Sequence, residues 1–218
     1  ADPGIHVAVV QGAGRAFCTG YDITAGGTGG GGVTGDRDGL ERIMRGWLRI
    51  WDMRLAVVAK VHGYCLAGGT QLATICDVTF VSNECKVGTP QLPLGAGYVA
   101  SSWTWLVGPK KAKEMFFPTG EMITGAEAAE WGLFNRAVPA DELDAAVRAY
   151  VDMVVRGAPI ALGATKDLIR RVPNLSRSDA FAWTSLRSRE LFGSEEAAEG
   201  IAAFNQRRDP SWVPTPQP

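Results

Sequence analysis

The amino-acid sequence predicts an α/β protein, in which a layered core of parallel strands precedes a helical C-terminal region. Three observations predict this class. Apolar, β-branched runs at 5–10, 55–63 and 77–82 alternate with segments of helical pattern. Apolar residues recur at helical spacing between 37 and 53. After residue 139 only helical patterns follow, so we predict a core over 1–138 and a helical region over 139–218.

The first half justifies the core element by element. The run IHVAVV at 5–10 is typical of a buried strand. Glycine dominates 24–35, and its chain entropy disfavours a helix or strand, so this stretch is predicted to be a loop. An amphipathic helix over 37–53 leads into the strand at 55–63. A short helix then connects to the strand at 77–82, which predicts parallel strands joined by crossovers.

The second half carries helix signals with recognisable ends. The segment 107–117 has a helical pattern. Thr124 and Glu127 have the spacing of a capping box, and Gly132 is placed to end the helix that the box begins. Further helices are predicted over 140–155, 159–171, 178–192 and 194–208.

Composition excludes several classes of function. The 218 residues carry a net charge of −1, which gives no basic surface for nucleic acid or an anionic membrane. Four cysteines without C-x-x-C spacing and two histidines indicate neither a metal site nor a disulfide framework, as expected of a reduced, cytoplasmic protein. No apolar run reaches membrane-spanning length. Because the chain opens abruptly on a turn and a strand, we expect further residues to precede it.

Two short glycine-bearing stretches suggest a site. They read FCTGYDI at 17–23 and GYCLAGGTQLATICD at 63–77. A tight turn at Gly20 would direct the N–H of Tyr21 into a cleft, and a helix beginning at Gly68 would present its N–H outward with the helix dipole behind it. Two such donors aimed at one oxygen would stabilise an enolate or a tetrahedral oxyanion. From the residues alone, the alternative that these glycines serve only packing stays open.

A nucleotide site is disfavoured. Gly12 and Gly14 follow the first strand, but Phe17 occupies the third position of a dinucleotide fingerprint. The glycine tract at 24–35 also lacks the Lys-Ser/Thr of a phosphate-binding loop.

Both glycine-bearing stretches resemble segments of the crotonase (enoyl-CoA hydratase/isomerase) superfamily. The similarity continues through VGTPQLPLG, MITGAEAAEWGLFNRAVPADEL and SEEAAEGIAAFNQRRDPSW, and so covers nearly the whole chain in the right order. The resemblance implies a crotonase-like ββα superhelix core with a C-terminal trimerisation region. It also implies an acyl-CoA substrate whose carbonyl oxygen is received by the N–H groups of Tyr21 and Gly68.

Further expectations come from this resemblance. Coenzyme A would enter as part of the thioester substrate, with no permanently bound cofactor. Asp22 and Ile23 would lie near its adenine end, and the helix carrying Phe204, Arg207 and Arg208 would help to hold its nucleotide part. The chain would assemble as a homotrimer or a dimer of trimers.

The sequence departs from the family at the residues that carry acid/base chemistry. Gln71 and Gln91 stand where hydrating members have glutamates. An amide forms hydrogen bonds but does not exchange a proton near neutral pH, and losing a general acid or base typically costs about 10²–10⁴ in rate. Trp103 and Trp105 add bulk to a segment that shapes the acyl pocket in the family.

No other residue is an obvious replacement for the glutamate pair. Structural interpretations are favoured for the remaining candidates, which are His62, Asp22, Glu114, Glu121, Asp77, Cys18, Cys65 and Lys166. Three functions therefore remain: a hydratase or isomerase of altered machinery, a hydrolase acting on the thioester or on a carbon–carbon bond, and a non-catalytic acyl-CoA binding subunit.

Overall fold

A computed structural model describes residues 4–21, 37–94, 100–118 and 120–214. Asp22, Ile23 and the predicted glycine-rich loop over 24–35 lie outside the described residues.

The described chain contains short strands and longer helices in the predicted alternation. The strands are β1 (Val7–Gln11), β2 (Ala56–Val61), β3 (Tyr64–Leu66), β4 (Val78–Ser82), β5 (Lys86–Gly88), β6 (Met122–Thr124) and β7 (Arg136–Val138). The helices are α1 (Arg37–Trp51), α2 (Gly68–Ile75), α3 (Ala100–Phe116), α4 (Gly125–Glu130), α5 (Leu143–Val154), α6 (Pro159–Arg171), α7 (Arg177–Phe192) and α8 (Glu195–Gln206). Single 3₁₀ turns cover Leu92–Leu94 and Val172–Asn174.

The strands form two sheets. The larger has the order β1-β2-β4-β7, and β4 runs parallel to both β2 and β7. The smaller has the order β3-β5-β6, in which β3 and β5 are parallel while β6 is antiparallel to β5. The parallel pairs confirm the predicted crossovers, because parallel neighbours need a connection that returns across the sheet.

The core packs around the strands and the inner face of α3. Val58, Val61 and Val87 are completely buried, as is the side chain of Trp103. The Asp77 carboxylate accepts a hydrogen bond of 2.7 Å from the Val57 N–H, which confirms the structural role expected for this residue.

Helix α4 begins and ends as predicted. The Thr124 hydroxyl accepts from the Glu127 N–H, and the Glu127 carboxylate accepts from the Thr124 N–H at 2.7 Å. These hydrogen bonds lower the pKa of Glu127, because they stabilise its ionised form. Gly132 follows the helix with φ 77°, a left-handed conformation that glycine adopts without strain.

Two features differ from the expectation. Helix α3 begins at Ala100, before the predicted start at 107, and it is kinked at Gly108, where φ is 76°. The three-residue strands β3, β5, β6 and β7 were not predicted, since three residues are too few to show an alternating pattern.

The chain forms two compact units. The larger holds the described residues of Val9–Trp51 and Val57–Val147, and the smaller those of Ala1–Ala8, Asp52–Ala56 and Arg148–Pro218. The boundary expected at residue 138 stays a prediction. Among the described helices, none combines the length and apolar character needed to cross a bilayer.

Candidate active site

The two glycine-bearing stretches lie side by side in the larger unit. The Phe17 and Cys18 N–H groups donate to the Tyr64 carbonyl at 3.1 and 3.2 Å, and the Leu66 N–H donates to the Cys18 carbonyl at 2.9 Å. Cys18 and Cys65 pair as neighbours in a parallel bridge. This ladder places the start of α2 next to the turn at Gly20.

Gly69 allows the two stretches to approach closely. A Cβ at this position would lie 2.1 Å from the Cys18 carbonyl oxygen, a distance that no side chain could accommodate. Gly20 has φ 110°, and a Cβ there would meet the Ala67 Cβ at 3.0 Å. Packing therefore accounts for Gly69, while Gly20 also makes a turn that favours glycine.

Gly68 is the first residue of α2 and faces the ring of Tyr21. A Cβ at position 68 would lie 3.0 Å from Tyr21 Cε2 and 3.2 Å from Tyr21 Cζ. The first N–H groups of a helix have no acceptor within the helix and lie at its positive end. The structure thus brings Tyr21 and Gly68 together. That their N–H groups aim at one oxygen stays a prediction.

Ala67, directly before Gly68, has an unusual backbone conformation. Its φ is 48° and its ψ is −120°, in a region where a residue with a Cβ is strained by roughly 1–3 kcal/mol. Three hydrogen bonds hold this conformation. The Ala67 N–H donates to the Gly88 carbonyl at 2.9 Å, and the Ala67 carbonyl accepts from the Thr70 N–H at 3.0 Å and from Thr70 Oγ1 at 2.7 Å.

Sequence reasoning missed the roles of Ala67 and Thr70. Nothing in the stretch LAGGTQ marks the alanine as strained, and a threonine early in a helix gives no signal of its own. The hydrogen bonds with Gly88 and Thr70 together show why this turn is held.

The two glutamines are buried in segments attached to this turn. Gln71 is 5% exposed on α2, and Gln91 is 7% exposed in the turn that follows β5. Gln71 Oε1 and both amide atoms of Gln91 have no hydrogen-bond partner among the described residues. A buried polar atom left unpaired costs about 1–3 kcal/mol, so these atoms require an explanation. A bound ligand or an ordered water would supply one.

The two tryptophans of the divergent segment have different surroundings. Trp103 is completely buried, its Nε1 donates to Thr70 Oγ1 at 3.2 Å, and its ring meets Phe116 edge to face at 5.7 Å. Trp105 is 74% exposed. Trp103 is therefore a core residue that contacts α2, which the sequence did not indicate.

Several other candidates have structural partners. His62 Nε2 lies 3.0 Å from the Gly14 carbonyl oxygen, so it donates in the tautomer that carries its proton there. Lys166 Nζ donates to the Leu55 carbonyl at 2.9 Å. Glu114 pairs with Lys111 on α3. These contacts agree with the structural interpretations favoured by the sequence.

A cavity of about 640 Å³ lies in the smaller unit. Among the charged residues of its lining, Arg170 forms ion pairs with both Asp52 and Asp167. Neither the glycine turn nor the glutamines contribute to it.

Comparison with known proteins assigns the chain to a family. Residues 1–214 match the family described as enoyl-CoA hydratase/isomerase. The chain belongs to this family. Carnitinyl-CoA dehydratase from Proteus mirabilis (strain HI4320) is 33% identical, over 97% of this chain and 82% of that protein. A putative enoyl-CoA hydratase from Thermus thermophilus is 31% identical, over 96% of this chain and 84% of that protein.

The crotonase fold is confirmed by similarity to solved structures. The crystal structure of an enoyl-CoA hydratase from Mycobacterium smegmatis superimposes with a TM-score of 0.84, at 26% identity, over 96% of this chain and 81% of that one. An enoyl-CoA hydratase/isomerase from Marinobacter aquaeolei gives a TM-score of 0.85 at 26% identity, over 96% of this chain and 83% of that one.

In this member of the enoyl-CoA hydratase/isomerase family, Cys65 and Cys85 are disfavoured as nucleophiles. Cys65 is completely buried, and burial raises the pKa of its thiol well above the ordinary range. Burial also raises the pKa of Cys85 to about 12. The thiolate is the nucleophilic form, so neither residue is ionised near neutral pH. Cys65 is a core residue as predicted, whereas Cys18 is partly exposed.

The residues that the family resemblance assigns to coenzyme A lie near the end of the chain. Phe204 is 83% exposed, and Arg207 ends α8 in a left-handed conformation with φ 53°. Arg208 instead forms a bidentate pair with Glu199 at 2.6 and 2.8 Å. A role in binding coenzyme A stays a prediction for Phe204 and Arg207, as it does for Asp22 and Ile23.

Proposed function

We propose that this chain is an acyl-CoA enzyme in which the backbone N–H groups of Tyr21 and Gly68 polarise the thioester carbonyl. The observation that carries the proposal is the contact between Tyr21 and Gly68 at the first residue of α2. Donors fixed in advance at a developing negative charge are usually the largest single contribution to catalysis. Relatives named as a dehydratase and a hydratase of CoA thioesters support a lyase-type reaction.

Gln71 and Gln91 define what the site does after it binds the carbonyl. Neither amide transfers a proton near neutral pH, so hydration by the family's glutamate route should be slow. The buried, unpaired amide atoms remain able to orient a water molecule or a polar group of the acyl chain. We therefore propose that polarisation of the carbonyl is retained while acid/base catalysis is altered.

Coenzyme A is proposed to bind only as part of the thioester substrate. Its proposed contacts are Asp22 and Ile23 at the adenine end, together with Phe204 and Arg207 on the exposed end of α8. The proposed assembly is a trimer or a dimer of trimers. Sedimentation of a monomer at working concentration would contradict it.

Turnover of crotonyl-CoA tests the proposal. Loss of the enoyl-thioester absorbance and release of free thiol are followed on one sample, while calorimetry measures binding of crotonyl-CoA and of coenzyme A. Slow loss of absorbance without thiol supports a weak hydratase. Thiol release identifies a thioester hydrolase. Binding with neither change indicates another acyl group or a binding subunit, and absence of binding refutes the proposal.

A further inference from the structure

We propose that Thr70 and Trp103 are positioning residues that orient the Gly68 N–H through the carbonyl of Ala67. The inference rests on the proposed function, because it assigns a purpose to the direction of that N–H. The positioning role is supported by a continuous chain of hydrogen bonds, from Trp103 Nε1 to Thr70 Oγ1 and from Thr70 Oγ1 to the Ala67 carbonyl.

The planarity of the peptide bond makes this chain effective. The Ala67 carbonyl and the Gly68 N–H belong to one rigid peptide unit, in which they point in opposite directions. Holding the Ala67 oxygen therefore fixes the direction of the Gly68 N–H. Thr70 holds that oxygen twice, with its N–H at 3.0 Å and its hydroxyl at 2.7 Å.

The strain at Ala67 shows why this peptide needs support. With φ 48° and ψ −120°, an alanine would relax to a commoner conformation if its contacts were lost. Relaxation would rotate the peptide and with it the Gly68 N–H. The Gly88 carbonyl fixes the opposite side of Ala67 at 2.9 Å, so the residue is held from both ends.

Trp103 sets the direction of the Thr70 hydroxyl. A hydroxyl has one proton and two lone pairs, so a donor at the oxygen leaves the proton for the Ala67 carbonyl. Hydrogen bonds in series also polarise one another, which strengthens the Gly68 N–H as a donor. Thr70 and Trp103 are both completely buried, so bulk water does not compete with these bonds.

An independent feature of the same helix indicates a ligand. Gln71 follows Thr70 and is 5% exposed, yet its Oε1 has no hydrogen-bond partner among the described residues. Two features of α2 are therefore neighbours in the sequence. Thr70 belongs to a hydrogen-bond network directed at Ala67, and Gln71 carries a buried amide oxygen that has no partner among the described residues.

Matched substitutions separate orientation from packing. Thr70→Val removes the hydroxyl and keeps the shape, whereas Thr70→Ser keeps the hydroxyl. Thr74→Val is the control, because Thr74 is also buried in α2 and its hydroxyl donates to the Thr70 carbonyl at 2.8 Å, not to Ala67. Trp103→Phe removes the indole donor and keeps an aromatic ring beside Phe116.

The readout is the carbonyl stretch of bound butyryl-CoA, labelled with ¹³C at the thioester carbon and measured by difference infrared spectroscopy. Wild-type protein should shift this band to lower wavenumber than in free butyryl-CoA. Thr70→Val should lose at least half of the shift, and Trp103→Phe a smaller part, while Thr70→Ser and Thr74→Val should retain it. The dissociation constant should change little, because the proposed contacts to coenzyme A involve other residues.

The outcomes distinguish this inference from the proposed function. A wild-type protein that binds butyryl-CoA without any shift refutes the oxyanion role of Gly68 itself. A normal wild-type shift that persists in folded Thr70→Val and Trp103→Phe overturns the positioning role alone. If Thr70→Val does not fold, Trp103→Phe with Thr70→Ser decides the question. For any acyl-CoA that is turned over, kcat should fall about tenfold or more in Thr70→Val with little change in KM, since small misplacements of a catalytic donor can cost up to about 10²-fold.

Discussion

The ring of Tyr21 lies so close to Gly68 that a Cβ at position 68 would be 3.0 Å from Tyr21 Cε2. Tyr21, which is proposed to offer one of the two donors, therefore limits the size of the side chain that position 68 can carry. A side chain and an N–H can be changed independently at position 68, so the effect of crowding Tyr21 can be separated from the loss of the Gly68 donor.

Gly68→Pro should lower kcat by about 10²–10³, because it removes one donor of the proposed oxyanion hole. Proline suits the first position of a helix, where the N–H has no partner within the helix, but it also disfavours the conformation of the preceding Ala67, so the folded state of the variant is checked first. Gly68→Ala is the matched control. It adds a Cβ against Tyr21 but keeps the N–H, so it should retain most of the activity that Gly68→Pro loses. Equal losses in the two folded variants would show that crowding of Tyr21, and not the N–H, is responsible.

Gln71→Glu combined with Gln91→Glu should increase crotonyl-CoA hydration by about 10²-fold or more, because it restores two groups that exchange protons. Both positions are more than nine-tenths buried, and burial raises the pKa of a carboxyl group. The hydration rate of the double variant should therefore pass through a pH optimum, and the gain over the wild type should be smaller at lower and at higher pH. No gain in a folded double variant would mean that the pocket does not present an enoyl group to these positions.

Gly69→Ala should destabilise the fold by about 1–3 kcal/mol or more, because its Cβ would meet the Cys18 carbonyl oxygen at 2.1 Å. Gly46→Ala on α1 is the control, since a Cβ there meets nothing within 4 Å. Alanine favours a helix over glycine, so this control should gain up to about 1 kcal/mol. Urea unfolding measures both. An unchanged midpoint for Gly69→Ala would contradict the close approach of the two stretches.

Acidification should loosen the segment that follows α8. Hydrogen bonds from Arg208 and from the Ser211 N–H lower the pKa of Glu199 to about 2. A carboxyl group whose pKa is lowered by folding stabilises the fold fully above its unfolded value near 4.5, and this contribution is lost as the pH falls towards about 2. In Glu199→Gln, stability should fall less steeply over this window. A ¹³C titration of Glu199 with a midpoint near 4.5 would contradict the prediction.

Local signals in the sequence were sufficient for much of the fold. The capping box at Thr124 and Glu127 depends on neighbouring residues alone, and it was found as predicted. The parallel strands β2 and β4 lie in apolar runs that can be recognised from the sequence without knowledge of tertiary contacts. The three-residue strand β5 has no such pattern, because its pairing with β3 and β6 is decided by tertiary contacts.

The candidate site was predictable only in part. The resemblance identified Tyr21 and Gly68, and the structure brings them together. The strain at Ala67 and its support by Thr70 could not be foreseen from the sequence. Ala67 bonds to Gly88 and Thr70 bonds to Trp103, and both partners are distant along the chain. The sequence likewise gave no indication that Trp103 would be buried while Trp105 is exposed.

A crystal structure with a bound, non-reactive acyl-CoA thioester tests the central claim most directly. The quantities to measure are the distances from the thioester oxygen to the backbone nitrogens of Tyr21 and Gly68. Both distances should be about 2.7–3.1 Å, the range expected for an oxyanion hole. A thioester bound with its oxygen beyond hydrogen-bond distance of either nitrogen would contradict it.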